Sequence, residues 1–214
     1  DLDRKTLAIY TSDNGPWLWW GDLAGSAEPF QGGKETNWEG GFRVPCVMRW
    51  PGSIPAGQVN REMAALIDIY PTIAALAGAE LPSGQISGVD IIIDGKDIWP
   101  LMSGEAGATS PHEVFYHYDG GNRLMTLRSG KWKLMFPQSY SSPIGGTGGM
   151  PGKGQRKEIE LSLFDLANDI GETTNVADQY PDVVARLERL AERMRHELGH
   201  GPNNVGSQRR PIGE

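Results

Sequence analysis

"LAIYTSDNGPW", residues 7–17, decides how the rest of the chain is read. Leu7, Ala8, Ile9 and Tyr10 form a continuous apolar run, the pattern of a core strand covered on both faces of a parallel sheet. The run halts on Asp13, Asn14, Gly15 and Pro16, a dense turn signal. Ligands of open parallel α/β sheets sit just beyond the carboxyl ends of their strands, so these polar side chains stand where sites are built. Asp13 and Asn14 each offer an oxygen, and oxygens suit a hard divalent cation such as calcium or magnesium. The same residues also make a plain turn, and two ligands do not close a coordination shell.

Downstream, residues 17–45 are rich in Gly and Trp and follow neither the helix nor the strand period, so a long loop of the functional kind is expected. Within it, "GGKETNWEGGFRVP" (residues 32–45) places glycine pairs before Lys34 and before Arg43. Such pairs let the backbone double back closely and carry Lys34 over the strand end, where a lysine could bind an anion. For Glu39 and Arg43 a structural ion pair around Gly40-Gly41 is the expectation. Trp17, Trp19 and Trp20 either stack on a sugar or aryl ring or pin the loop to the core, and the sequence leaves both readings open.

The loop leads into "VPCVMRW" (residues 44–50), which reads as a second buried strand carrying the sole cysteine, Cys46, as a small buried hydrophobe. A helix follows, with Asp68 as N-cap, Pro71 in its first turn, Gly78 as its stop, and Ile69, Ile73 and Leu76 as the face on the sheet. Ser103-Gly104 marks a seam, giving an expected division into residues 1–104 and 105–214. Beyond it, "EVFYHYD", "RLMTLRSGKWKLMF" and "ELSLFDL" are short β-rich runs of a small antiparallel sheet, with Ser129-Gly130 as a hairpin. His117 is expected to be a strand histidine with a structural hydrogen bond. Residues 137–157, dominated by Gly, Ser and Pro, are expected to form a mobile loop too poor in apolar residues to pack. Val183, Leu187, Leu190 and Met194 define the core stripe of a helix between Pro181 and Gly199, followed by an irregular tail.

The 214 residues suffice for one large or two small domains, and the net charge of −7 argues against nucleic acid as a partner. One cysteine excludes an internal disulfide, and no stretch has the length of a membrane span or the form of a signal peptide. The chain opens on Asp1 and enters a strand within a few residues, as a piece of a longer protein would.

The ordered series "TSDNGP", "GGKETNWEGGFRVPCVMRWPG", "IDIYPTIAALAGAELP", "DGKDIWPLMSG", "LRSGKWKLMF" and "LFDLANDIGETTNVADQYPDVVARL" closely resembles the later half of the sulfatase family, in its arylsulfatase branch. The resemblance covers nearly the whole chain. It implies an α/β fold, the C-terminal part of an alkaline-phosphatase-like sheet sandwich, with a small antiparallel sheet and a C-terminal helix. It also implies a sulfuric ester hydrolase acting on an aryl or carbohydrate sulfate, calcium rather than magnesium as cofactor, and an extracytoplasmic location (periplasmic, secreted or lysosomal). Asp13 and Asn14 match the family's calcium-ligand pair, and Lys34 matches the lysine that contacts the sulfate.

The family's nucleophile, a formylglycine made from Cys or Ser in C/S-x-P/A-x-R, has no counterpart in this chain. Cys46 begins "CVMRW" and Ser53 begins "SIPAG", and neither completes the motif. The nucleophile and the early aspartates that complete the calcium shell are therefore expected from a missing N-terminal half, and this chain alone is expected to be inactive. A phosphonate or phosphate monoester hydrolase of the same superfold, and a non-catalytic glycan-binding fragment, are the alternatives.

Overall fold

A computed structural model describes residues 2–86, 89–144, 146–201 and 206. Most of the expected C-terminal tail lies outside them. In chain order the elements are β1 (Ala8–Thr11), α1 (Glu39–Phe42), β2 (Cys46–Arg49), α2 (Ile69–Leu76), β3 (Gln85–Ile86), β4 (Val89–Asp90), α3 (Trp99–Ser103), β5 (Phe115–Tyr118), β6 (Leu124–Ser129), β7 (Trp132–Met135), β8 (Gln138–Ile144), β9 (Lys153–Ile159), β10 (Ser162–Asp165) and α4 (Pro181–Leu198). They fall into two compact units, residues 2–13 with 45–113, and residues 14–44 with 114–201.

In the first unit β1 pairs antiparallel with β2, Tyr10 opposite Val47, as a two-stranded ribbon. This departs from the expected core strands of a parallel sheet: Tyr10 is 73% and Val47 63% exposed, and Cys46 is exposed rather than buried. An apolar run makes a strand that can be covered. Burial needs a further layer, and among the described residues of this unit none lies over the ribbon's Tyr10 and Val47.

The helix α2 stops at Gly78, whose φ of 66° is the left-handed geometry expected there. Its buried residues are Pro71, Thr72 and Ala74, while Ile73 of the expected apolar face is 48% exposed. Asp68 does not cap the helix with its side chain. Its fully buried carboxylate instead accepts the backbone N–H groups of Ala65 (2.7 Å) and Lys96 (2.9 Å) and meets His112 Nε2 at 2.7 Å. One carboxylate thus ties three separate segments, a buried charge made tolerable by its donors.

The second unit is built on a four-stranded antiparallel sheet, ordered β10-β7-β6-β5. Ser129 pairs with Trp132 across a two-residue turn at Gly130, as the hairpin signal required. Strand pleating sends alternate side chains to opposite faces. Leu127, Leu134 and Leu163, all fully buried, share one face and pack with Leu187, Leu190 and Ala191 of α4. Each such leucine contributes about 1.5–3 kcal/mol by burial. The stripe expected for α4, between Pro181 and Gly199, is therefore realised in Leu187 and Leu190, with Val183 partly buried beside them, while Met194 is half-buried and outside this cluster.

The opposite face carries His117, Thr126, Arg128, Lys133, Met135 and Phe164, in register by pairs. It is covered by the long loop, through Trp38 against Met135 and Phe164, and through Phe42 stacked on His117 at 3.9 Å. Residues 137–157 do not form a mobile loop. They build most of the β8–β9 ribbon, paired over seven residues of each strand from Gln138↔Ile159 to Ile144↔Lys153. The backbone hydrogen bonds of the ribbon replace the apolar packing that its composition lacks, and Tyr140 and Ile159 still reach the Trp38 cluster.

Candidate functional site

The long loop returns on itself by backbone contact. Gly15 N–H donates to Gly41 C=O (3.0 Å), and Lys34 N–H donates to Pro16 C=O (2.9 Å). These approaches need glycine: a methyl group on Gly15 would overlap the Gly40 carbonyl oxygen, and one on Gly33 would overlap that of Pro16. Lys34 is thereby fixed to the segment that begins at Asn14. Its Nζ lies 5.2 Å from the centre of the Trp17 ring, a cation–π contact. Asn14 is half-buried, with its amide nitrogen 3.4 Å from Gly15 C=O. Asp13 is exposed and ends the other unit.

Beneath the loop lies a buried charge cluster. Lys133 Nζ meets Glu172 Oε1 at 2.7 Å and Glu39 Oε1 at 3.2 Å, with all three side chains at most 4% exposed. Arg128 reaches Glu39 Oε2 at 3.1 Å and Arg43 reaches it at 3.9 Å. The expected Glu39–Arg43 pair is thus one edge of a larger network. Glu172 Oε2 also accepts Glu39 N–H at 2.6 Å, closing the first turn of α1. Burial pushes the Glu172 carboxyl above its usual range, against the pull of Lys133.

His117 is buried and bonded through Nδ1 to Thr126 Oγ1 at 2.6 Å. Burial, with Lys133 and Arg128 nearby, brings it down to about 3, so it is a neutral structural histidine near pH 7. Trp19 has a pinning role: its carbonyl accepts Gly152 N–H at 2.6 Å, and its ring covers Gly154. Trp17 and Trp20 meet edge to face at 5.8 Å and stay 43% and 37% exposed. Sequence reasoning missed Lys133 and Glu172. A lysine inside the apolar β7 run "WKLM" was the available signal for the first.

Asp13 and Asn14 present hard oxygen donors, the right chemistry for calcium, but only two of the six to eight such an ion takes. Among the described residues no group of three or more His, Cys, Asp or Glu side chains is placed to hold a metal ion. A calcium shell on this pair therefore needs further oxygens.

Residues 1–79 match the family described as sulfatase, and residues 110–212 match the C-terminal region of aryl-sulfatase. Steryl-sulfatase of Mus musculus is 35% identical over 226 residues, covering 95% of this chain and 35% of its own length. The PsFucS1 sulfatase from Pseudoalteromonas sp. superposes with a TM-score of 0.71 at 29% identity, over 95% of this chain and 40% of that one. Ps i-CgsB, solved in complex with k-i-k-neocarrahexaose, gives 0.65 at 26% identity, over 89% of this chain and 36% of that one. The chain belongs to the sulfatase family and has its alkaline-phosphatase-like α/β fold. It spans about a third of the length of the curated relatives it matches.

Proposed function

We propose that this chain supplies the C-terminal part of a sulfuric ester hydrolase acting on an aryl or carbohydrate sulfate outside the cytoplasm. The observation that carries this reading is the glycine-tight tie of Lys34 to Pro16, two residues beyond Asn14, within a chain of the sulfatase family. Lys34 binds a sulfate oxygen and neutralises charge that develops as the ester bond breaks. Asp13 and Asn14 supply two oxygen ligands to calcium, which when bound would polarise the sulfate group. The remaining ligands and the formylglycine nucleophile come from residues outside this chain. Residues 1–104 belong to the catalytic domain and residues 105–214 form the C-terminal subdomain, in keeping with matches that end at 79 and resume at 110, although residues 14–44 pack in one compact unit with the C-terminal sheet.

The test is steady-state kinetics on the protein including its upstream sequence, with paired sulfate and phosphate esters. Lys34→Ala is expected to lower kcat/KM for the sulfate ester about 10²–10³-fold, the usual loss for one donor to a developing oxyanion. Undiminished turnover, or a clear preference for phosphate, overturns the reading. Asn14→Ala should weaken calcium binding in a calorimetric titration, a readout that does not require turnover. Residues 1–214 alone should hydrolyse no sulfate ester.

A further inference from the structure

Lys34 lines a cavity of about 220 Å³ in the second unit. That is the liquid volume of about seven waters, room for one six-membered ring. Two segments make its walls. The long loop contributes Lys34, Trp19 and Trp38, and the β8–β9 ribbon contributes Tyr140, Ser142 and Lys157. Tyr140 and Lys157 are register partners, so they stand on one face of the ribbon. Trp38 and Tyr140 meet edge to face at 5.6 Å, and Trp19 is anchored at Gly152 and Gly154, so the rings are held in place before any ligand arrives. Among the described residues no carboxylate pairs with Lys34 or Lys157. Aromatic walls with a few placed polar groups are the composition of a ligand site, and two cations without counter-ions favour a ligand carrying two negative groups.

We propose that this cavity seats the ring of the alcohol part of the ester, and that Lys157 recognises a second anionic group, a sulfate or a carboxylate, on that ring. The inference rests on the reading of Lys34 as the sulfate-binding lysine. The ring packs on Trp19, Trp38 and Tyr140 while its scissile sulfate lies on Lys34. A ring with one sulfate leaves Lys157 in water, and a second anion gains a charge-assisted contact.

The experiment compares kcat/KM of the full protein on three esters: a monosulfated monosaccharide, the same ring with a second sulfate, and the same ring with a carboxylate. Lys157→Ala is expected to lower the ratio of dianionic to monosulfated turnover about fivefold, the size of one exposed charge contact. Lys157→Glu should lower it further. Arg156→Ala removes an equal charge from the opposite face of the ribbon and should leave the ratio unchanged. An equal loss in both alanine variants, or none in Lys157→Ala, overturns the inference. Whichever dianionic ester loses more identifies the second group. Should no sulfate ester turn over, the reading of Lys34 falls, and the cavity is decided separately by tryptophan fluorescence. Binding of the disulfated monosaccharide should quench it, with affinity about fivefold weaker in Lys157→Ala. No quenching in the parent protein overturns the cavity assignment.

Discussion

The β1–β2 pair and the β6–β7 pair are both antiparallel, both apolar in sequence, and end in opposite surroundings. Tyr10 and Val47, facing each other across the first pair, are 73% and 63% exposed. Leu127 and Leu134, facing each other across the second, are fully buried. The difference lies in what covers them. The second pair has α4 on one face and the long loop on the other. Apolar character is thus a capacity for burial, and the layers around a strand decide whether it is used.

The largest way to break this comparison is at the loop-covered face. Lys133→Ala leaves Glu39 and Glu172 buried without their shared cation, and removal of one partner from such a cluster costs about 3–5 kcal/mol. A marked drop in the thermal transition is expected. Adding Glu172→Gln should recover part of it, because Glu39 keeps Arg128 and Arg43. Next comes the helix-covered face, where Leu134→Ala should cost about 2–5 kcal/mol in denaturant unfolding, through lost burial and the cavity left behind.

These two faces were unequally legible in the sequence. The leucines of β6, β7 and α4 follow strand and helix periods, so the sheet, its hairpin at Gly130 and the helix beside it could be read directly. The second face could not, because its cover is a loop with no period, held by glycine contacts and by Trp38. The same holds for the candidate site. The glycine pairs flanking Lys34 announce a tight return, and the structure supplies one. Nothing local in "QSYSSPI" or "KGQRKEI" says that they pair, since their stability comes from inter-strand backbone bonds that composition does not encode. Ile73 went astray for a related reason: α2 buries Thr72, whose hydroxyl accepts Ile98 N–H at 2.9 Å, and so turns a polar residue inward.

A smaller effect distinguishes the buried face by pH. His117 titrates near 3 in the native protein, below its ordinary value of about 6.5, so the unfolded chain takes up a proton that the native state refuses. Its contribution is intact above pH 6.5 and is lost as pH falls from there toward 3. The slope approaches about 1.4 kcal/mol per pH unit once the unfolded histidine is protonated. Glu172, raised by burial, acts in the reverse sense: its contribution is present below about 4.5 and is lost as pH rises through its native value. In thermal melts between pH 6.5 and 5, stability should therefore fall more steeply with falling pH in the parent protein than in His117→Phe. That variant keeps a ring against Phe42 and loses the titrating group. An unchanged slope would place the acid sensitivity elsewhere.

The smallest expected effect is at Val47. In residues 1–214, Val47→Ala removes two methyl groups from a side chain 63% exposed, and substitutions at such places stay within about 0.5 kcal/mol. The same substitution in the protein with its upstream sequence sharpens the comparison. If added sequence lays a strand or helix over the ribbon, Val47→Ala should then cost more than about 1 kcal/mol, as large-to-small changes in a covered sheet do. The change in cost between the two lengths of chain measures the covering layer directly. Equal small costs in both would mean that β1 and β2 keep their apolar side chains in water, and that the alternation of cover seen between the two strand pairs belongs to the whole protein.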